Sequence, residues 1–521
     1  MPNSIDFRGR PFHFIGIGGI GMSAIAHILT RQQLPVSGSD VRLSHITQRL
    51  QEQGVHIFLS QDAENLQFFQ SNDLPEVAAV GVLSIAASSE KGSHLGSAAS
   101  LSPSAYAQDK STVLLPQVVC STAIHSNNPE YNAALEMGCP IYHRSDILAA
   151  LVARSKGIAV AGTHGKTTTS SMIGYLLLHA GLDPSIVVGG EVEAWEGNAR
   201  LGDGDYLVAE ADESDGSLVK FAPYIGVITN IELDHPDHYK TLDEVVQTFK
   251  AFSQNCSKVV ACADCDNINT DISPAVTYSL DASSDATYRA TNVVYGSSGT
   301  HAEIWEGTHL LGNFWLPLLG QHNLSNALAA IAVGRLINIG FDTIVDAFAS
   351  FKGARRRFEC RGAHHNIIFI DDYAHHPSEI QATLAAARLQ VGPSKQAEER
   401  RVVAVFQPHR YSRASMFIDE FGESFKDADL VIATEVYSAG EPPANINGQC
   451  VAEAIATHHP SVFYRSTLAD TSALLKQTLR PGDLVIFLGA GNLNRIIPDL
   501  LNFYEQVEVT DLPTVYSAVT H

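Results

Sequence analysis

Short, wholly apolar runs alternate along this chain with stretches of helical period, the pattern of strand–helix–strand units that feed mostly parallel sheets. In the N-terminal third, Phe12–Ile17 reads as a strand, Ile20–Arg31 as a helix and Leu34–Ser37 as the next strand. The pattern lapses from Ser84 to Thr112, where 15 of 29 residues are Ser or Ala. Such a segment buries too little surface to offset its chain entropy and predicts a mobile surface insertion. Pattern resumes around Val118-Val119, with a turn at Asn128-Pro129. A second set opens on the buried strand Gly157–Ala161, continues in a helix from about Thr167 to Ala180 stopped by Gly181, and adds strands at Tyr206–Glu210 and Ile225–Asn230. A third set begins near Ala354, with strands at Ile367–Asp371, Val402–Gln407, Leu430–Thr434 and Leu484–Leu488. At 521 residues the chain exceeds what one core supports. The prediction is an α/β protein of three domains: Rossmann-like over 1–150, P-loop ATPase-like over 151–353, and Rossmann-like again over 354–521.

Composition narrows the function without choosing it. Apolar residues make up 45% and charged residues 17%, an ordinary globular balance. With 34 Lys and Arg against 56 Asp and Glu the net charge is −22, which argues against a nucleic-acid partner but leaves room for a local phosphate pocket. Seven widely spaced cysteines argue for a reducing compartment, the cytoplasm, and against a disulfide framework. Phe12–Leu29 is free of charged residues and imitates a signal or membrane segment, but four glycines at 16, 18, 19 and 21 contradict both and predict no membrane insertion.

The glycines have another use. Gly16-Ile-Gly18-Gly19-Ile-Gly21 joins a strand to a helix, and Asp40 follows nineteen residues later. Glycines there let a diphosphate approach the helix N-terminus, and the acid can bind a ribose hydroxyl. NAD and a nucleotide-sugar diphosphate are equally served. Gly162-Thr163-His164-Gly165-Lys166-Thr167-Thr168 is a shorter relative of the Walker loop, set between a buried strand and a long helix. Its backbone can cradle phosphates, Lys166 can neutralise them and Thr167 can hold Mg²⁺. Glu210 ends a strand and is predicted to face the same ion, with His235 within reach, whereas the rest of Asp212–Asp215 reads as a solvated loop. Arg410 and Arg413 are spaced to clamp a small carboxylate. Cys262 and Cys265 form a lone CxxC, insufficient for a zinc site.

Taken with His322-Asn323-Leu-Ser-Asn326, Arg356-Arg357-Phe358, Asp371–Pro377 and Gln407–Arg413, these motifs occur in the order found in the Mur ligases of peptidoglycan synthesis, which the chain resembles from Phe12 to about Asn492. The resemblance implies an ATP- and Mg²⁺-dependent ligase joining L-alanine to the lactyl carboxylate of UDP-N-acetylmuramate through an acyl phosphate. It implies catalytic roles for Lys166, Glu210, His235 and His375, and metal ligands at Thr167, Glu210 and His235. ATP would meet 162–168, His322, Asn323, Asn326, Arg357 and Asp371. The UDP diphosphate would sit on Gly16, Gly18, Gly19 and Gly21, and the amino acid against Tyr373, His375, Arg410 and Arg413. Lys250, which falls near a carbamylated lysine of some members, reads as a surface residue. Two other readings share parts of the pattern: a recycling ligase of the same family that adds a tripeptide, and an NAD-dependent oxidoreductase with an ATPase unit.

Overall fold

The computed structural model describes residues 5–69, 115–391 and 400–507, so the Ser- and Ala-rich stretch 84–112 lies outside the described residues. Two compact units emerge: one of residues up to Ala150 with Ala199–Leu201, and one of the remainder.

In the first unit, β1 (Phe12–Ile15), β2 (Val36–Ser39), β3 (His56–Phe58), β4 (Gln117–Cys120) and β5 (Ile141–His143) form a parallel sheet in the order 3-2-1-4-5. The helix Ile20–Arg31 follows β1 as predicted, with Met22, Ile25, Ile28 and Leu29 buried. Asn128-Pro129 is not a free turn: Pro129 starts a helix to Glu136, and the Asn128 side chain accepts from Tyr131 N at 3.0 Å. That helix carries Glu130 beneath the sheet, wholly buried. Its carboxylate accepts from His13 Nε2 at 2.8 Å, from Asn65 Nδ2 at 2.8 Å and from the Ser39 hydroxyl, while His13 Nδ1 meets Ser37 Oγ at 2.9 Å. Asn65 also donates to Ser60 O at 2.7 Å, but Glu130→Leu still removes the acceptor that His13, Ser39 and Asn65 share. A loss of about 3 kcal/mol of stability is expected in urea unfolding; a loss below about 1 kcal/mol would show the network to be dispensable.

The second unit holds two sheets. The larger contains β6 (Lys156–Ala161), β7 (Ser185–Val192), β8 (Gly197–Arg200), β9 (Tyr206–Glu210), β10 (Ile225–Ile228), β11 (Lys258–Cys262), β12 (Val276–Ser279), β13 (Tyr288–Gly296), β14 (Gly299–Glu306) and β15 (His309–Leu316), in the order 15-14-13-12-11-10-6-9-7-8. β6 lies between β9 and β10, parallel to both, and Gly157–Ala161 is fully buried. Helices Lys166–His179 and Gln321–Leu336 pack on one another, close enough that Leu176 lies against Gly334. The antiparallel meander β13–β14–β15 went unforeseen, because its polar-rich strands lack continuous apolar runs.

The smaller sheet has the order 16-17-21-18-19-20, from β16 (Glu359–His364), β17 (Ile367–Asp372), β18 (Val402–Phe406), β19 (Leu430–Thr434), β20 (Val462–Arg465) and β21 (Leu484–Leu488). All neighbours are parallel except β16–β17, a hairpin absent from the sequence reading. Its two turn residues, His365 and Asn366, have φ of 52° and 62°, the conformation that Asn-Gly usually advertises.

Candidate active site

β6 ends at Ala161 and the next helix begins at Lys166, so four residues must turn the chain. Gly162 and Gly165 have φ of 143° and 82°, and side chains there would collide with Thr229 Oγ1 and Asn326 Oδ1. The segment after β10 fixes the loop: Thr163 N donates to Asn230 O at 3.1 Å, His164 N to Asn230 Oδ1 at 2.8 Å, and Thr229 Oγ1 to His164 O at 2.5 Å.

Within this cradle Lys166 Nζ donates to Gly162 O at 2.6 Å and to Glu213 Oε1 at 2.8 Å. Burial opposes its charge, yet Glu213 and Asp212 more than compensate and raise its pKa. Thr167 Oγ1 lies 3.0 Å and 3.1 Å from the two Glu210 oxygens, and Gly189 N donates to that carboxylate at 2.7 Å. Burial raises the Glu210 pKa despite Lys166 and Gly189. Glu213 corrects the solvated-loop expectation: its side chain is 1% exposed, and its Oε2 is buried without a hydrogen-bond partner among the described residues. His235, with φ 54°, sits 3.6 Å from Glu213 Oε1. A hydroxyl, two buried carboxylates and an orphaned oxygen suit a hard divalent cation. Lys250 is remote from this chemistry, bonded at 2.8 Å to Asp271.

A cavity opens beside the loop, lined by His164, Gly165, Thr168, His322, Asn323 and Asn326 from the middle sheet's side and by Arg357 and Asp372 from the smaller sheet's side. The helix begins at Gln321, one residue before His322, so His322, Asn323 and Asn326 occupy its first two turns. Asn326 Oδ1 accepts from Thr169 at 3.1 Å and Asn323 donates to Leu319 O at 2.8 Å. Burial, with Arg357 nearby, pushes His322 down to about 4.

Several expectations need correction. Asp371 does not line the cavity; it is tied to Arg361 at 3.1 Å and Asn494 at 3.2 Å. Its neighbour Asp372 points the other way, as alternation along β17 requires, and burial lifts it to about 6. Arg413 is 2% exposed and already holds Asp234 Oδ1 at 2.9 Å and His409 at 3.1 Å, so it forms no open clamp. Arg410, with φ 69°, donates to Asp237 at 2.8 Å. Tyr373 lies under the guanidinium groups of Arg356 and Arg357, and beside it burial holds the His375 ring down at about 4. In the first unit, Asp40 is turned onto the glycine loop, accepting from Gly18 N at 2.9 Å and Arg42 N at 3.0 Å, so both oxygens are engaged locally instead of facing a ribose.

The sequence reading missed Glu213, Glu232, Asp372, His376 and Glu379. Glu232 and Glu379 flank His164 at 3.4 Å and 3.3 Å and drive its pKa, against burial, up to about 10. The Glu379 signal was present as the acid two residues after a proline that opens a helix.

Three family models match in series: the Mur ligase family catalytic domain over residues 11–156, the Mur ligase middle domain over 160–334 and the Mur ligase glutamate ligase domain over 356–491. UDP-N-acetylmuramate–L-alanine ligase of Gloeothece citriformis is 57% identical, across 96% of this chain and 99% of its own. The protein of that name from Nostoc punctiforme is also 57% identical, across 98% and 100%. The crystal structure of UDP-N-acetylmuramate–alanine ligase from Thermotoga maritima superimposes with a TM-score of 0.74 at 26% identity, covering 96% of this chain and all of that one. A murein peptide ligase from Psychrobacter arcticus shares the fold at 22% identity and a TM-score of 0.63. With three α/β domains in this order, the chain belongs to the Mur ligase family.

Proposed function

We propose that this chain joins L-alanine to the lactyl carboxylate of UDP-N-acetylmuramate at the expense of ATP, releasing ADP and phosphate, with domains over 1–150, 151–353 and 354–521. The observation that carries it is the Lys166–Thr167–Glu210–Glu213 constellation beside a cavity that Arg357 and Asp372 also line. Identity of 57% to L-alanine-adding relatives over nearly the whole chain supports the choice of acceptor over a tripeptide.

The residues divide the work as follows. Lys166 holds the transferred phosphoryl group by its ammonium charge, while the amides of 162–168 and the helix N-terminus receive the other phosphates. Mg²⁺, held by Thr167, Glu210 and His235, supplies charge neutralisation. His322, Asn323, Asn326 and Arg357 bound the nucleotide, with Asp372 in the place first expected of Asp371. Arg410, Tyr373 and His375 receive the amino acid, and Arg413 braces them from below. Gly16–Gly21 takes the UDP diphosphate. An acyl phosphate hydrolyses readily, so closing the cavity around the reactants would keep water out. Seven free thiols support a cytoplasmic location, and no helix among the described residues is long and apolar enough to cross a membrane.

The test is phosphate release from ATP and Mg²⁺ with UDP-N-acetylmuramate and L-alanine, the L-Ala-γ-D-Glu-diaminopimelate tripeptide, or no acceptor. Release at least about tenfold above the no-acceptor rate with L-alanine alone is expected. Release with the tripeptide only would transfer the assignment to the recycling reaction, and no release with any acceptor would defeat the ligase reading.

A further inference from the structure

Glu379 is the third residue of the helix Pro377–Val391, and its carboxylate faces two ways. Oε2 accepts from His375 N at 3.0 Å and His376 N at 3.2 Å and lies 3.2 Å from His375 Nδ1, which fixes the turn carrying Tyr373 and His375. Oε1 lies 3.3 Å from His164 Nδ1 in the phosphate loop and 3.8 Å from Arg357 Nη1. The side chain is 11% exposed. On its other edge His164 Nε2 lies 3.4 Å from Glu232 Oε2, and Glu232 in turn accepts from Ser378 Oγ at 2.7 Å, the residue before Glu379.

We propose that Glu379 is a positioning residue that locks the amino-acid turn to the phosphate loop, so that the two substrates' sites are set by one carboxylate. The inference rests on the ligase reading above. A capping role alone requires only the two backbone amides; it does not require the second oxygen to meet a histidine from another sheet's loop. Burial disfavours the charge, but the cationic His164 and Arg357 hold Glu379 below the usual carboxylate range, so the lock stays anionic. His164 stays cationic between its two acids, and a lone glutamine in place of Glu379 removes half of that grip while keeping side-chain size.

The experiment compares Glu379→Gln, His164→Gln and the double variant in the L-alanine-dependent assay, with full KM determinations for each substrate. Glu379→Gln is expected to raise the KM for ATP and for L-alanine together, each about tenfold, and to leave the KM for UDP-N-acetylmuramate within about twofold. The double variant is expected to fall clearly short of the product of the two single effects, because both share the Glu379–His164 contact. A change confined to one substrate, or double-variant effects that multiply, would overturn the proposal. Glu379→Asp, which keeps the charge but shortens the reach, should restore less than half of the lost affinity; full recovery would place the effect in charge alone and refute a geometric lock. Absence of L-alanine-dependent release in the unaltered protein would count against the ligase reading instead.

Discussion

Lys166→Met is expected to lower L-alanine-dependent phosphate release by about 10²–10³-fold, the scale on which a single charge-stabilising donor contributes to a transition state. It should also weaken the fold. Glu213, 1% exposed, loses its only close ammonium, and an unpaired buried carboxylate costs about 3 kcal/mol. The two effects separate in the double variant Lys166→Met/Glu213→Gln, which should recover the stability in urea unfolding and none of the turnover. If turnover returned as well, Lys166 would be a neutralising partner for Glu213 and nothing more.

Acid should destabilise this protein through its buried histidines. His322, His375 and His376 are pushed by burial from the ordinary 6.5 to about 4, and His409 to about 2. Each is neutral when folded and protonates more readily when unfolded. Their stabilisation is therefore complete above pH 6.5 and is lost as the pH falls toward 4. His164 has the opposite sign: raised to about 10, its contribution is complete below 6.5 and is lost as the pH rises through about 10. Urea midpoints should peak near about pH 6.5–7, fall steeply by pH 5 and decline again as the pH rises toward about 10. A flat profile from pH 7 to pH 5 would mean that these rings open to water in the resting protein.

The elements foreseen from apolar runs were the central parallel strands: Tyr206–Glu210, Leu430–Thr434 and Leu484–Leu488 match the structure to the residue. Burial on both faces leaves such strands no polar positions, so their limits are sharp. β13–β16 were lost because one face of each meets water and no wholly apolar run forms. The site followed the same logic. Residues bound to a glycine turn, such as Lys166 and Thr167, announce themselves by spacing. Glu213 and Glu379 do not, since an acid in a charged stretch looks solvated until the fold supplies a buried cation, and the choice of Asp372 over Asp371 turns on one step of strand alternation.

Under the proposed assignment of Arg410 to the amino acid, its pairing with Asp237 also bears on how that ligand would be selected. Of the pair, Arg413 is sealed and Arg410 is partly exposed, and two carboxylates, Asp237 at 2.8 Å and Glu441 at 3.6 Å, already rest on it. An incoming amino acid would then not fill a bare charge there; it would have to displace a tethered rival whose effective concentration is in the ~mM range. Ligands that offer a carboxylate alone are then held no better than Asp237, and only one whose ammonium and side chain find further contacts gains by the exchange. The internal acid thus acts as an incumbent that weak anions cannot evict.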